Sequence, residues 1–351
     1  MVQIPIVDLS RFLADGADTA ACKEVADAME ELGVLILRDP RVDPALPVRY
    51  RDMMVRFYRL PPEVKAQYIP AKLADGRHIF ETGWRPPFTE KPRRRDEVLH
   101  LIPEAVKPCE PPPGDPKERF MWPIGPRRAE SKYPELDFLP RMRPVEIRDW
   151  VDVCAEWETA MYSAMMTVME MLAIGFDEPR ELFSSLLCYG PHRLAPTGLN
   201  LAAHGAPGTV AAGFHNDLSC LTMHGRSNFP GLYAWTRSWE KFPVRLPDDG
   251  CLLVQSGRVL EHLTAGRTLR GFHEVVIGEE AQPQIQAALA RGEVPWRVST
   301  TAFFNAQTDS WVEPIGRFAH EPTAPRYFEE RIECGARMLR TLTKKVVKSA
   351  A

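Results

Sequence analysis

The chain has no Cys-x-x-Cys pair, no run near the ~18 consecutive apolar residues of a membrane helix, no internal repeat and no dominant charge sign. Each absence removes a class of function. The seven cysteines (Cys22, Cys109, Cys154, Cys188, Cys220, Cys251 and Cys334) are scattered, which excludes a zinc ribbon or a thioredoxin-type motif. An odd, sparse set fits a reducing compartment. "MVQIPIVDLSRFL" lacks the basic-then-apolar order of a signal peptide, so the expectation is a soluble cytoplasmic chain without membrane association. Lys and Arg number 44 against 47 Asp and Glu, a net charge of −3, which gives no footprint for nucleic acid. The one dense basic run, "KPRRRDE" at 91–97, ends in acids and reads as a solvated loop.

What is present is an ordinary globular composition with ample length for a core: 351 residues, 44% hydrophobic and 26% charged. Proline is abundant and crowds 86–145, which predicts an irregular connection over 80–145. Before it, 3–9 reads as a strand, "GADTAACKEVADAMEELG" as a helix, "VLILRD" as a β-rich run, and 45–68 as a helix, a Pro-Pro break and a shorter helix. The strongest helical pattern covers about 145–174, where Trp150, Cys154, Trp157, Met161, Met165, Val168 and Leu172 step at three and four. That stripe reads as core, with Gly175 as the helix stop. From 183 to 310, short β-rich runs alternate with Gly and Pro, the pattern of an antiparallel sandwich or barrel. A helical insertion, 279–295, interrupts them, and "RYFEERIECGARMLRTLTKKVVK" reads as a last amphipathic helix despite Gly335.

"GFHNDLSCLTM" at 213–223 holds His215 and Asp217 two positions apart in an apolar run. On a strand, i and i+2 share a face, so an imidazole and a carboxylate project side by side, with Cys220 on the opposite face as a small packed hydrophobe. Groups of this kind are costly to bury without a partner, and a metal ion is one such partner. Two companions follow. "GFHEVV" carries His273, and "WRVSTTAFF" carries Arg297 and Ser299 on one strand face, where a guanidinium and a hydroxyl can clamp a carboxylate. Two histidines and a carboxylate on one metal face leave open positions, as in non-haem Fe(II) oxygenases.

In these motifs the chain resembles the isopenicillin N synthase-like group of the Fe(II)/2-oxoglutarate-dependent dioxygenases. "IPIVDLSRFL" resembles the group's opening, "ELGVLILRD … FYRLPPEVKAQY" its N-terminal helical region, and "HNDLSCLTM" its H-x-D strand. "FPGLYAW", "LTAGRTLRGFHEVV" and "RVSTTAFF" resemble its hairpin, distal-histidine strand and oxoglutarate-binding strand. The resemblance implies a mainly β fold with flanking helices: a double-stranded β-helix (jelly roll) core with an N-terminal helical region. It divides the chain into an N-terminal helical and proline-rich region, 1–145, and a jelly-roll oxygenase core, 146–351, with the 279–295 insertion and a C-terminal helix, all as one compact unit. It implies that His215, Asp217 and His273 bind Fe(II) and that Arg297 and Ser299 hold the distal carboxylate of 2-oxoglutarate, with no catalytic residue beyond the metal ligands. The "LTAG" turn after His262 matches the hairpin that precedes the distal histidine, so His273 is preferred over His262, which is left as a sheet residue.

The implied activity is hydroxylation, desaturation or cyclisation of a small organic molecule with O2 and 2-oxoglutarate, giving succinate and CO2. The alternatives are an oxoglutarate-independent iron oxidase or cyclase and a non-catalytic ligand-binding protein on the same fold. Three departures stand out: Asn200 of "LNLAAHGAPG" is not followed by the group's usual tyrosine, the gap from His273 to Arg297 is long, and Glu274 stands where an arginine is usual. His204 and His224 read as loop or hairpin residues, Trp296, Phe303 and Phe304 as core, and Phe214 as a candidate pocket residue. Arg77, Arg85 and Arg193 are candidates to meet an acidic substrate.

Overall fold

The β-rich runs between 192 and 304 form strands divided between two sheets. The structure, a computed structural model, describes residues 2–16, 18–71, 81–90 and 96–345. In chain order the strands are β1 (Ile6–Asp8), β2 (Val34–Arg38), β3 (Gly83–Arg85), β4 (Glu118–Ile124), β5 (His192–Leu194), β6 (Thr197–Asn200), β7 (Val210–His215) and β8 (Leu221–Gly225). They continue with β9 (Leu232–Trp235), β10 (Lys241–Pro243), β11 (Cys251–Ser256), β12 (His273–Val276), β13 (Trp296–Ser299) and β14 (Ala302–Phe304). The large sheet runs β1-β2-β11-β8-β14-β5-β4-β6-β13, with β3 on β4, and the small one runs β10-β9-β12-β7. Pairing is antiparallel except for β1 with β2. The result is the expected jelly roll with flanking helices. Strands β1 to β4, from within 1–145, belong to the same sheet as strands from 192 onward.

Helices cover the large sheet. The helix α1 (Thr19–Glu31) and α2 (Ala45–Tyr58) pack on α3 (Trp150–Gly175). All seven residues of the α3 stripe are buried, so the period-3.6 pattern marks core. Its N-terminus lies at Trp150, later than the sequence reading, with 145–149 outside the helix. Gly175 is the last helical residue, and a Cβ there would lie 2.1 Å from the Cys22 carbonyl oxygen. Close approach of α1, not chain reversal, therefore requires the glycine.

Three further expectations change, and the helical 279–295 insertion is found as expected. The proline-rich 80–145 stretch is not wholly irregular, because β3 and β4 lie within it and β4 pairs with both β5 and β6. The run holding His262 is a helix, α4 (Arg258–Leu263), because the Gly257 and Val259 amides donate to the Cys220 and Ser219 carbonyls and start the turn there. The 279–295 insertion holds a 3-10 turn and the helix α5 (Gln282–Ala290), whose Ile285 packs with Leu199, Ala211 and Ile277. The tail is not one helix. It forms α6 (Ala324–Glu329), a short strand pair of Trp311–Val312 with Ile332–Glu333, and α7 (Cys334–Lys345). Gly335 is needed because a Cβ would lie 2.5 Å from the Tyr133 ring. Among the described residues no helix is long and apolar enough to cross a membrane.

Gly175→Ala is expected to destabilise the protein by roughly 1–3 kcal/mol through overpacking against Cys22. Calorimetry should show a lowered Tm, and an unchanged Tm would refute the close-packing account.

Candidate metal centre and the cavities beside it

β7 and β12 are antiparallel neighbours, and their register sets His215 directly opposite His273. The two rings lie 4.2 Å apart between centroids. Each ring is oriented by its own strand. His215 Nδ1 is 2.6 Å from the Gly213 carbonyl oxygen, and His273 Nδ1 is 2.9 Å from that of Gly271. A carbonyl only accepts, so each Nδ1 carries a proton and donates it, which leaves Nε2 as the ring nitrogen available to a metal.

Asp217 does not sit on the strand. β7 ends at His215, and Asp217 lies in the crossover to β8 in the other sheet. The i, i+2 argument therefore named the right residues through the wrong local structure. The crossover itself brings the carboxylate inward, with Oδ1 3.8 Å from His215 Nε2. Its Oδ2 accepts a hydrogen bond from the Thr222 hydroxyl at 2.6 Å. Among the described residues, one group of His, Cys, Asp or Glu side chains converges in the manner of a metal site. It is His215, Asp217 and His273, one donor atom from each, all within 4.8 Å.

The electrostatics suit a cation. Burial pushes the His215 pKa well down, helped by the neighbouring His273 ring, so His215 is neutral and able to ligate. Burial would raise Asp217, but His273, His215, the Thr222 bond and Arg119 outweigh it and hold its pKa below the usual carboxylate value. Two oriented imidazoles, His273 buried and His215 half-buried, and one half-buried carboxylate form a hard-to-borderline N/O donor set that fits Fe(II).

Two cavities meet at this cluster. The inner one lies between the sheets and is lined by His215, Asp217, His273, Thr222, His224, Arg297 and Ser299. Arg297 is buried, and its Nε donates to the Pro230 carbonyl at 3.2 Å. No carboxylate among the described residues pairs with it, and burial alone lowers its pKa to about 10. Ser299 Oγ lies 3.0 Å from Thr301 Oγ1 on the same wall. A buried guanidinium without an anion fits the distal carboxylate of a dicarboxylic acid.

The outer cavity shares His215 and Asp217 and is walled by β4 and α7. Here lie residues that sequence reading missed. Asp115, Lys117, Arg119 and Met121 all line it, at every second position along and just before β4. That period-2 alternation was readable in principle, but the prolines at 111–113 and 116 hid it. Glu90 is the hub of their charges. It meets Arg85, Lys117 at 3.3 Å and Arg119 at 3.4 Å, while Lys117 also pairs with Asp115. Arg119 reaches into both cavities, donating to Thr197 at 3.2 Å with its guanidinium over the Phe303 ring.

The other candidates resolve plainly. His262 bonds Glu330 at 3.2 Å and lies edge-on to Tyr327, away from the cluster. His224 lies in β8, not a loop, and lines the inner cavity with a pKa lowered by burial to about 4. His204 ends the short helix Leu201–His204 and packs on Phe88. Cys220 and Phe304 are fully buried and Trp296 is buried, but Phe303 lines both cavities. Phe214 lines neither. It stacks on Phe272 at 5.2 Å on the far face of the small sheet. Arg85 is paired with Glu90 and Glu81, and Arg193 bonds the His192 and Leu136 carbonyls away from both cavities. Arg77 lies outside the described residues. Asn200 caps the helix that follows it, accepting from Ala202 and Ala203, which explains its presence without a tyrosine. Glu274 is fully buried, taking bonds from Lys241 at 2.6 Å and the Cys109 amide at 2.9 Å.

Known proteins carry related sequences and the same fold. A family model described as "non-haem dioxygenase in morphine synthesis N-terminal" matches residues 4–123. The curated 2-oxoglutarate-dependent dioxygenase ecdK of Aspergillus rugulosus is 26% identical over 238 residues, which is 65% of this chain and 66% of that one. The chain thus aligns with slightly under two thirds of that relative's length. Among solved structures, a 2OG-Fe(II) oxygenase family protein from Caulobacter crescentus superposes with a TM-score of 0.75, at 20% identity and 98% and 99% coverage of the two chains. A full-length Neurospora crassa protein, solved with alpha-KG and also with alpha-KG and thymine, gives a TM-score of 0.71 at 20% identity, covering 97% and 96%. The structural likenesses establish the fold.

Thr222→Val is expected to release the Asp217 carboxylate and weaken divalent-metal binding by about 10–100-fold, the usual cost of losing a bond behind a ligand. Thr222→Ser should keep most of the affinity. Chelator competition measures both, and equal affinity in all three proteins would remove Thr222 from the site.

Proposed function

We propose that this chain, a member of the Fe(II)/2-oxoglutarate-dependent dioxygenases, oxidises a small organic molecule while O2 and 2-oxoglutarate are converted to succinate and CO2. His215, Asp217 and His273 would hold Fe(II), and Arg297 with Ser299 would hold the far carboxylate of 2-oxoglutarate. The observation behind this reading is one juxtaposition: an oriented N/N/O donor set and a buried guanidinium without a carboxylate partner among the described residues share one cavity.

Iron bound there supplies the oxygen activation. The protein's own contributions are positional. The Gly213 and Gly271 carbonyls hold the imidazoles in one tautomer, Thr222 orients Asp217, and Leu199, Ala212, Leu232 and Val275 give the inner cavity its apolar share of wall. An oxoglutarate-independent oxidase on the same site would leave Arg297 buried without a counter-anion, which weighs against it. A purely ligand-binding role has no use for two histidines held in the metal-binding tautomer. Seven free cysteines, none in a disulfide, support a reducing cytoplasmic setting.

The test is succinate release from 2-oxoglutarate with Fe(II) under air, alongside the visible charge-transfer band of the anaerobic Fe(II)–oxoglutarate complex. The wild-type protein should give both, and His215→Ala neither. Arg297→Gln should weaken 2-oxoglutarate binding about 30-fold or more, as expected for losing one partner of a buried charge pair. Succinate formation unaffected by His215→Ala would overturn the proposal.

A further inference from the structure

The outer cavity raises a question that the co-substrate does not answer. Two cavities flank the metal cluster, and each holds one arginine without a carboxylate partner among the described residues: Arg297 in the inner cavity and Arg337 in the outer. The other three cations of the outer wall are spoken for. Arg85, Lys117 and Arg119 share Glu90, with Glu81 and Asp115 beside them.

Arg337 stands on the face of α7 that roofs this cavity. Cys334, Arg337, Met338, Thr341 and Leu342 all line it, at helical spacing. Nearby acids are committed elsewhere. Glu330 meets His262 at 3.2 Å and Arg258 at 3.5 Å, and Glu261 meets Arg270 at 3.5 Å. No hydrogen bond or ion pair engages Arg337 among the described residues. Burial, with Arg258 as a like-charged neighbour, outweighs the attraction of Cys334, Glu330 and Glu261 and lowers its pKa to about 10. A half-buried guanidinium with no carboxylate in contact, lining a cavity that ends on the metal ligands, is placed to take an anion from whatever fills that cavity.

Resting on the oxygenase reading above, we infer that Arg337 anchors an acidic group of the primary substrate, so that the substrate class is small organic acids with an apolar body. The body lies against Met121, Phe303, Met338 and Leu342, between the anchored group and the metal. Arg337 is therefore a specificity-determining residue on the last helix, separate from the co-substrate arginine on β13.

The test uses the anaerobic Fe(II) protein with 2-oxoglutarate. Titration calorimetry compares 3-phenylpropionate, hexanoate and benzoate, each with its primary amide. At least one acid should bind about tenfold more tightly than its amide. Arg337→Gln should abolish that preference while amide binding and 2-oxoglutarate affinity stay within about twofold, which also reports that the variant is folded. Arg337→Lys should keep part of the preference. The inference is overturned if no acid out-binds its amide, if the preference survives Arg337→Gln, or if Arg297→Gln removes it instead. Repeating the series without 2-oxoglutarate separates the two claims. An acid preference that depends on Arg337 in a protein that binds no 2-oxoglutarate would sink the co-substrate reading and leave the anchor standing.

Discussion

The register between β7 and β12 is the constraint on which the site depends. It places His215 opposite His273 on the inner face of the small sheet. One position before each histidine, Phe214 and Phe272 stack on the outer face at 5.2 Å, with their planes only 9° apart. The same pairing thus satisfies two faces at once: an apolar pair outside, packed with Trp235, and a donor pair inside. A one-residue slip of either strand would turn its phenylalanine into the metal cavity and its histidine into an apolar cluster, leaving the two donors on opposite faces. Hydrophobic burial outside and metal geometry inside therefore select one register, so folding builds the site as it aligns the strands.

That coupling explains why part of the site was legible. Period-2 patterning and residue chemistry are local, so His215, Arg297 and Ser299 could be assigned to strands from their neighbours alone. Asp217 was identified for a reason that does not hold. It is inward-facing because the chain leaves the small sheet at His215 and enters the large one at Leu221, a topological fact that spacing cannot report. His262 was misplaced on a strand for a related reason. Its β-rich composition is overridden by the tertiary contact that starts α4, where Gly257 and Val259 bond the backbone at Cys220 and Ser219.

The outer cavity was illegible because its walls are assembled from distant segments. β4 is preceded by a proline cluster, and proline is read as a breaker. Yet those prolines precede the strand, and Asp115, Lys117 and Arg119 alternate inward past them. Their charges make sense only against Glu90, which stands well upstream in the chain. The C-terminal helix was visible as amphipathic, but its inward face is set by where the 311–312 and 332–333 strand pair releases the chain. Local pattern gave the helix, and tertiary placement gave it a partner.

Charge balance ties the two cavities together. Around Glu90, among the described residues, the three cations Arg85, Lys117 and Arg119 face the three carboxylates Glu90, Glu81 and Asp115, so the charges of these six balance. What is left near the metal is positive: a divalent ion reduced by one by Asp217, plus Arg297 and Arg337. A 2-oxoglutarate dianion cancels two of these three charges. Neutrality then requires one more negative charge, and the cavity still to be filled is the one holding Arg337. In a low-dielectric interior a residual charge is expensive. A singly charged acid would therefore both occupy the outer cavity and complete the neutralisation of the centre, whereas an uncharged molecule of the same shape would leave a buried cation beside the reacting atoms. The protein's preference for its substrate would then come from the same electrostatics that stabilise its loaded site.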